Sequence, residues 1–440
     1  MKHQLKLFSF IMIVVGLVIG MGIFRTAATS AKYAIEPSVY FSAWIVGGII
    51  ALCGALTYAE IGSRYPVTGG YYKVFSYAYH PSIAFAINCI ILVSNAASLS
   101  SVALIGVGYF TRLFPEYQFS NTHIASISAI AIVLFYFINL KGLKLSATAQ
   151  NILMLIKIGM LLLLVGALLF PNAYATNTTP VFSGTAKATD WIKSLGISLV
   201  AVSFTYGGYQ QTINFGNEVA NPAKNIPKGI FTGILIIISL YLLVNISYYN
   251  IIGFTNMQNE RDIAYVVVDK ILGTKGALIF SFFLFIGVLS YVNALLMSNP
   301  RVMYAMSTEG SLPKWFGKEN SNGVLTTSLT VFTIICIIIL FFSQEFEEIL
   351  SFTIFLDCFG MIASSATIFK LRKNTTYLNN TGIYQMKLFP LLPIVFMVAY
   401  AFVGMSIAID KPQTALIGAG VLLAFIALYF LRKKPTATSH

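Results

Sequence analysis

Long apolar runs separated by short polar loops dominate this chain of 440 residues. Twelve of the runs are long enough to cross the hydrocarbon core of a bilayer as helices. No loop between them is long enough for a separate soluble domain, so the pattern predicts one all-α polytopic membrane domain over residues 1–440. The predicted spans lie near residues 8–29, 40–63, 81–111, 123–140, 146–170, 192–215, 229–253, 277–306, 325–342, 348–370, 388–407 and 413–431.

Glycine interrupts two of these runs. Gly20-Met21-Gly22 lies inside the first run, and Gly207-Gly208 lies inside the sixth. A glycine in a helix interior costs about 1 kcal/mol relative to alanine, and in lipid an opened backbone needs new hydrogen-bond partners. Each break lies in the first span of a group of five spans. Such paired breaks are typical of transporters that bind substrate at unwound helix ends.

The matching positions of the two breaks predict an internal repeat. Gly20 and Gly207 are 187 positions apart, although direct similarity between the two halves is weak. We therefore expect a five-plus-five inverted repeat with two appended spans. Repeat one covers about 8–170, repeat two about 192–375, and the appended spans about 388–431.

The charge distribution orients these spans. The chain is 57% hydrophobic and 10% charged, and its net charge is +13. With the N-terminus inside, 18 of the 28 Lys and Arg residues fall on the cytoplasmic side and 10 of the 15 acidic residues fall outside. This bias predicts a multi-pass protein of the cell (plasma) membrane with both termini cytoplasmic. Topology and the lipid bilayer account for the positive charge, so no nucleic-acid partner is expected.

Other function classes find little support. The four cysteines fall inside predicted spans at spacings that match no metal site, and the four histidines form no ligand cluster, so we expect neither a metal nor a cofactor. The ionisable residues deep in the spans are one lysine and one aspartate, which offers no nucleophile–base pair for an enzyme. The charged residues form no ring of the kind that lines a pore, so a channel is not expected.

Four motifs in order resemble the amino acid–polyamine–organocation superfamily, close to its L-type amino acid transporter branch of permeases and antiporters. The first span is similar to the family's Gly-Ser-Gly-Ile-Phe, with Met21 in place of Ser. The resemblance implies the leucine-transporter-like fold and covers spans one to ten. The motifs are Gly20-Met21-Gly22-Ile23-Phe24, Ala59-Glu60-Ile61-Gly62 with Tyr65–Tyr72, Phe204–Tyr209 with Asn221-Pro222 and Asn225–Pro227, and Arg301–Met306 with Gly310–Pro313.

Broken helices suit a free amino acid, because its two charged groups need buried partners. The helix that resumes after Gly22 offers free N–H groups to a carboxylate, and the halves that end at each break offer carbonyls to an ammonium. An alternative is that these glycines only permit close helix packing. The resemblance implies that Met21 and Gly22 bind the carboxylate, that the carbonyls of Val18, Phe204 and Gly207 bind the ammonium, that Phe204 covers the substrate, and that Gly20, Tyr206 and Gly208 complete the site.

Lys157 is the only basic residue deep in a span. An ionisable group at that depth is a functional candidate, although a snorkelling lysine is the alternative. The resemblance implies that its ammonium takes the place of a sodium ion and braces carbonyls of the first span near Gly16. Transport is then expected without Na⁺. A further expectation is that Lys157 releases a proton during the cycle.

Asp357 is the only acidic residue in mid-span, and three roles are open for it. It lines the end of the substrate pocket and favours a polar or cationic side chain, or it pairs with Arg25 as an external gate, or it is a protonated structural residue.

The expected function is secondary transport of amino acids by alternating access, as Na⁺-independent exchange or proton-linked uptake. Two alternatives remain: transport of polyamines or other amines by the same fold, and a sensor that binds amino acids without transport. The sequence names neither the substrate nor a partner subunit.

Overall fold

The computed structural model describes residues 5–170, 187–260, 262–342, 346–379 and 381–431. This part of the chain is helical and has no strand beyond two isolated bridges, Leu5 with Val219 and Thr68 with Phe215. The all-α class is therefore confirmed there. The helices are α1 (Leu7–Val18), α2 (Gly22–Tyr33), α3 (Pro37–Arg64), α4 (Gly70–Ala78), α5 (Pro81–Thr111), α6 (Asn121–Leu140), α7 (Leu143–Gly166), α8 (Ala188–Tyr206), α9 (Pro222–Ile252), α10 (Phe254–Asn259), α11 (Ile263–Thr308), α12 (Thr326–Phe342), α13 (Phe346–Asn374), α14 (Leu391–Asp410) and α15 (Pro412–Leu431).

Ten helical segments in the described ranges are long and apolar enough to cross a membrane, with α1 and α2 counted as one segment, Leu7–Tyr33. Two further apolar helices fall outside that set. The apolar part of α12 is shorter, at Thr326–Phe341. The first two turns of α8 carry Asp190 and Lys193, which lower its mean hydropathy. The chain is therefore an integral multi-pass membrane protein.

Helix starts and breaks follow local chemistry. Proline stands in the first turn of α3, α5 and α9, where its missing N–H costs nothing. The 46 residues of α11 contain Gly273 at φ +70°, so two helices meet there, and the second corresponds to the span predicted near 277–306. The sixth predicted span, near 192–215, stops being α-helical at Tyr206 and continues as a 3₁₀-helix over Tyr209–Asn214.

The two interrupted spans lie together in the packed interior. Helix α2 packs against α8, and α1 packs against α7 and α9. Helix α5 is buried among α11, α12, α13 and α15. The last helix, α15, is peripheral and exposes apolar side chains such as Leu416 and Leu423, as expected of a surface that faces lipid.

Candidate functional site

The first helix break leaves backbone donors unpaired. Helix α1 ends at Val18, and α2 begins at Gly22 after the cap residue Met21. The Gly20 N–H turns back to the Val18 carbonyl at 2.7 Å. Within the described ranges, the N–H groups of Met21, Gly22 and Ile23 have no hydrogen-bond acceptor. Free donors of this kind, together with the positive end of a helix dipole, are suited to an anion.

The second break opens the end of α8. Gly207 caps the helix by donating to the Phe204 carbonyl at 3.3 Å, and Gly208 follows at φ +113°. The Gly208 N–H donates to the Gln210 side chain at 2.9 Å rather than to the helix. The Thr205 and Tyr206 carbonyls therefore receive no hydrogen bond from the described residues. Exposed carbonyls at a helix end are suitable acceptors for a cation.

The two breaks are in direct contact. Thr26 and Thr205 share a hydrogen bond between their hydroxyl groups, and Thr26 also donates to the Gly22 carbonyl at 2.7 Å. A Cβ on Gly22 would lie 2.6 Å from the Thr205 hydroxyl oxygen, so only glycine fits at this crossing. The sequence pattern predicted both breaks, and the structure brings them to one place.

A cavity lies at this junction. Most of the sequence-predicted site residues line it, namely Val18, Gly20, Met21, Gly22, Phe204, Gly207, Gly208 and Asp357. The Val18 carbonyl already accepts hydrogen bonds from the Gly20 N–H and, at 3.3 Å, from the Tyr241 hydroxyl.

Tyr206 lies away from this cavity, contrary to the prediction. Its ring packs against Trp44 and Tyr241, and its buried hydroxyl has no partner among the described residues. Residues two apart on a helix differ by about 200° in direction, so Tyr206 faces away from the side on which Phe204 lines the cavity.

Lys157 braces the first break directly. Its side chain is fully buried on α7, and its ammonium donates to the Ile19 carbonyl. The expectation placed this contact on a first-span carbonyl near Gly16, and the carbonyl that Lys157 meets is that of Ile19, three residues further along. A Cβ on Gly16 would meet Gln150 and Met154. The Lys157 nitrogen therefore places a hydrogen-bond donor at the carbonyl just before the unwound residues.

Asp357 is held by Ser94, whose hydroxyl donates to Oδ1 at 2.7 Å. Of the three roles left open for Asp357, the pairing with Arg25 is not seen among the described residues, and Arg25 pairs with Asp262 at 3.1 Å. Asp262 also binds Arg112.

Sequence reasoning missed a set of polar residues on the cavity wall. Asn95 accepts from the Gln211 amide at 2.7 Å, and Ser98 and Tyr291 are 2.7 Å apart at their hydroxyls. The Tyr291 ring also packs against Gly20. The run of small polar residues at 94–101 and the Gln210-Gln211 pair after the second break were the available signals, but neither indicates which helix faces which.

Comparison with known proteins gives one family. The family model described as amino acid permease matches residues 5–429. The serine/threonine exchanger SteT of Bacillus subtilis (strain 168) is 24% identical over 445 residues, which cover 100% of this chain and 98% of that protein. The large neutral amino acids transporter small subunit 2 of Homo sapiens is 23% identical, with 98% and 80% covered. The methylthioribose transporter of Bacillus subtilis (strain 168) is 27% identical over 345 residues, with 72% and 70% covered.

Proposed function

The chain belongs to the amino acid permease family, and from that membership we propose that it carries free amino acids across the cell membrane without sodium. It is a secondary transporter and not an enzyme. The observation that carries the proposal is the meeting of two broken helices at one cavity, with the Lys157 ammonium on the carbonyl beside the first break. This arrangement offers donors, acceptors and a fixed cation in the same few residues.

The substrate carboxylate binds at the N-terminus of α2. The unpaired N–H groups of Met21, Gly22 and Ile23 support this assignment, since oriented backbone donors at a helix start favour an anion. Met21 supplies only its backbone here, because its side chain has no hydroxyl to add.

The substrate ammonium binds among the carbonyls of the breaks, those of Val18, Phe204 and Gly207. Gly20 and Gly208 keep the backbone open to it, and the Phe204 ring covers it from α8. The place of all five residues on the cavity wall supports these roles. Because the Val18 carbonyl already accepts two hydrogen bonds, the carbonyls of the second break accept most of the hydrogen bonds from the substrate ammonium.

Lys157 replaces a bound sodium ion. A sodium ion at a broken helix coordinates exposed carbonyls, and a buried ammonium on the Ile19 carbonyl places a positive charge at the same kind of site. Uptake then needs another driving force, either exchange against an internal amino acid or a proton gradient.

The five-plus-five repeat with two appended spans works by alternating access, which opens this site first to one side of the membrane and then to the other. The two breaks at matching positions support the repeat, and the Thr26–Thr205 contact supports a moving bundle that includes α1, α2 and α8. The positive-inside charge pattern supports cytoplasmic termini.

Counterflow in proteoliposomes tests this function. The purified chain alone is reconstituted, loaded with a mixture of the twenty amino acids, and offered each labelled amino acid with and without Na⁺ and a pH gradient. We expect exchange of a subset of amino acids at equal rates in sodium and choline. Transport that stops in choline would contradict the role of Lys157.

The same assay separates the alternatives. An amine transporter would accept amines that lack a carboxylate, and free amino acids would not compete. A sensor would bind an amino acid, as measured by calorimetry, and show no counterflow. Methylthioribose, the substrate in the name of the third relative, is added as a competitor to test whether this chain also binds it.

A further inference from the structure

One wall of the cavity carries two polar side chains from the same face of α13. Thr353 and Asp357 are four residues apart, so they are neighbours on the helix surface. Both line the cavity that the helix breaks also line. The breaks account for the two charged groups common to every amino acid, which leaves this wall available for the rest of the substrate.

Some polar atoms on this wall have no hydrogen-bond partner among the described residues. The fully buried Ser94 donates to Oδ1 of Asp357 at 2.7 Å and lies 3.4 Å from the Thr353 carbonyl. Oδ2 of Asp357 accepts no hydrogen bond from the described residues. The Thr353 side chain is 2% exposed, and its hydroxyl has no partner there either. A buried polar atom without a partner is uncommon, because it is destabilising unless a ligand satisfies it.

Asp357 is also the only charged side chain among the described residues that line the cavity. The cationic side chains nearest the breaks are engaged elsewhere, Arg25 with Asp262 and Lys157 with Ile19. A carboxylate in a low-dielectric interior with a single hydrogen bond is strongly unfavourable. A bound cation or a proton compensates such a charge.

Oδ2 of Asp357 and the Thr353 hydroxyl, both without a partner among the described residues, lie on one wall of the cavity one helical turn apart. An ammonium group has three donors and satisfies Oδ2 of Asp357 and the Thr353 hydroxyl together.

We propose that Asp357 and Thr353 bind the side-chain ammonium of the substrate and that Ser94 orients the carboxylate. The transported class is then α-amino acids with a cationic side chain, such as lysine. The inference rests on the proposed function, in which the helix breaks hold the α-carboxylate and the α-ammonium.

Three matched compounds test it in the counterflow assay. Lysine has both the carboxylate and the side-chain ammonium. Norleucine keeps the carboxylate and lacks the side-chain ammonium. Cadaverine keeps the terminal ammonium and lacks the carboxylate. We expect lysine to exchange at least about tenfold better than either of the others, because each loses a charge-assisted set of hydrogen bonds.

Two cavity variants and one control complete the design. In Asp357→Asn we expect lysine exchange to fall about tenfold or more and norleucine exchange to persist, so that the preference disappears. In Thr353→Val, which keeps the shape, lysine exchange should fall about threefold with norleucine unchanged. Asp269→Asn removes a carboxylate from α11 away from the cavity and should behave as wild type.

The outcomes separate this inference from the proposed function. Equal exchange of lysine and norleucine, with the ratio unchanged in Asp357→Asn, overturns the ammonium subsite and leaves amino acid transport intact. Equal exchange of lysine and cadaverine overturns the carboxylate site and keeps the subsite. Proton-driven norleucine uptake that is lost in Asp357→Asn makes Asp357 a proton site and also overturns the subsite. If monodisperse, reconstituted protein exchanges no amino acid, both proposals fail.

Discussion

The carbonyl oxygen of Leu17 occupies the space that a side chain on Gly208 would need. The end of one broken helix therefore lies directly on the backbone of the other. This contact depends on the missing side chain and on the left-handed backbone of Gly208, at φ +113°.

Gly208→Ala should disrupt this contact. A non-glycine residue at this φ is strained by about 1–3 kcal/mol, and its Cβ would collide with the Leu17 carbonyl. We expect counterflow to fall at least about tenfold in protein that remains monodisperse. Gly159→Ala is the control, since nothing lies within 4 Å of a Cβ there. Normal transport by Gly208→Ala would mean that the two breaks need not touch.

Gly22→Val should separate α2 from α8. A side chain at this position meets the backbone and the hydroxyl of Thr205, which cannot move away without shifting α8. Substrate affinity should fall by about tenfold or more, because the free N–H groups shift with the helix start. Calorimetry on purified protein measures this loss. Gly108→Val adds the same side chain in α5, where a Cβ meets nothing within 4 Å, and full activity is expected. Wild-type affinity in Gly22→Val would exclude the backbone site.

Lys157→Met removes the ammonium and keeps much of the side-chain volume. The Ile19 carbonyl then loses its buried donor, so we expect transport to fall by at least about tenfold in both sodium and choline. Lys144→Met, at an exposed position on the same helix, is the matched control. Unchanged transport rates in Lys157→Met would show that this lysine only fills space in the packed interior.

Asp262→Asn should change the rate of transport and leave selectivity unchanged. Asp262 joins Arg25 of α2 to Arg112 at the end of α5, so it links a broken helix to a helix of the packed interior. All three side chains are partly exposed, and the stability change should therefore stay below about 1 kcal/mol. Stopped-flow uptake at two salt concentrations measures the rate. A changed order of preference among amino acids would place Asp262 in the substrate site instead.

Glu60→Gln should destabilise the fold. Glu60 is fully buried and accepts from Arg64 at 2.7 Å and from Arg372 at 2.7 Å, which joins α3 to α13. Breaking a buried ion pair from one side typically costs about 3–5 kcal/mol, because the arginines are left uncompensated. The thermal midpoint in detergent should fall clearly, while Glu319→Gln, outside this cluster, should leave it unchanged. An unaltered midpoint in Glu60→Gln would show that these ion pairs do not stabilise the fold.

Local chemistry made much of the site predictable. The glycine breaks were predictable because a glycine in a helix interior costs about 1 kcal/mol relative to alanine, although other span glycines, such as Gly106 and Gly108, lie in the intact helix α5. Lys157 and Asp357 stood out because charge deep in a span is costly wherever it occurs. Both signals are properties of a residue and its immediate neighbours.

Partner choice was not predictable in the same way. A pairing of Arg25 with Asp357 was one of the open alternatives, but Arg25 pairs with Asp262, which is 237 positions away. Tyr206 was expected in the cavity, but the direction of α8 turns it toward Trp44. Asn95 and Gln211 are 116 positions apart and meet only because α5 lies beside the second break.

The sequence by itself determined the helical membrane fold, the two breaks and the two buried charges, because each follows from local hydropathy, helix propensity and the cost of burial. The tertiary structure alone decided which carbonyl Lys157 braces, which side of α8 faces the cavity and which acceptors lie beside Asp357. Those relationships depend on how helices far apart in the chain are rotated and cross each other. Local sequence preferences do not specify that geometry.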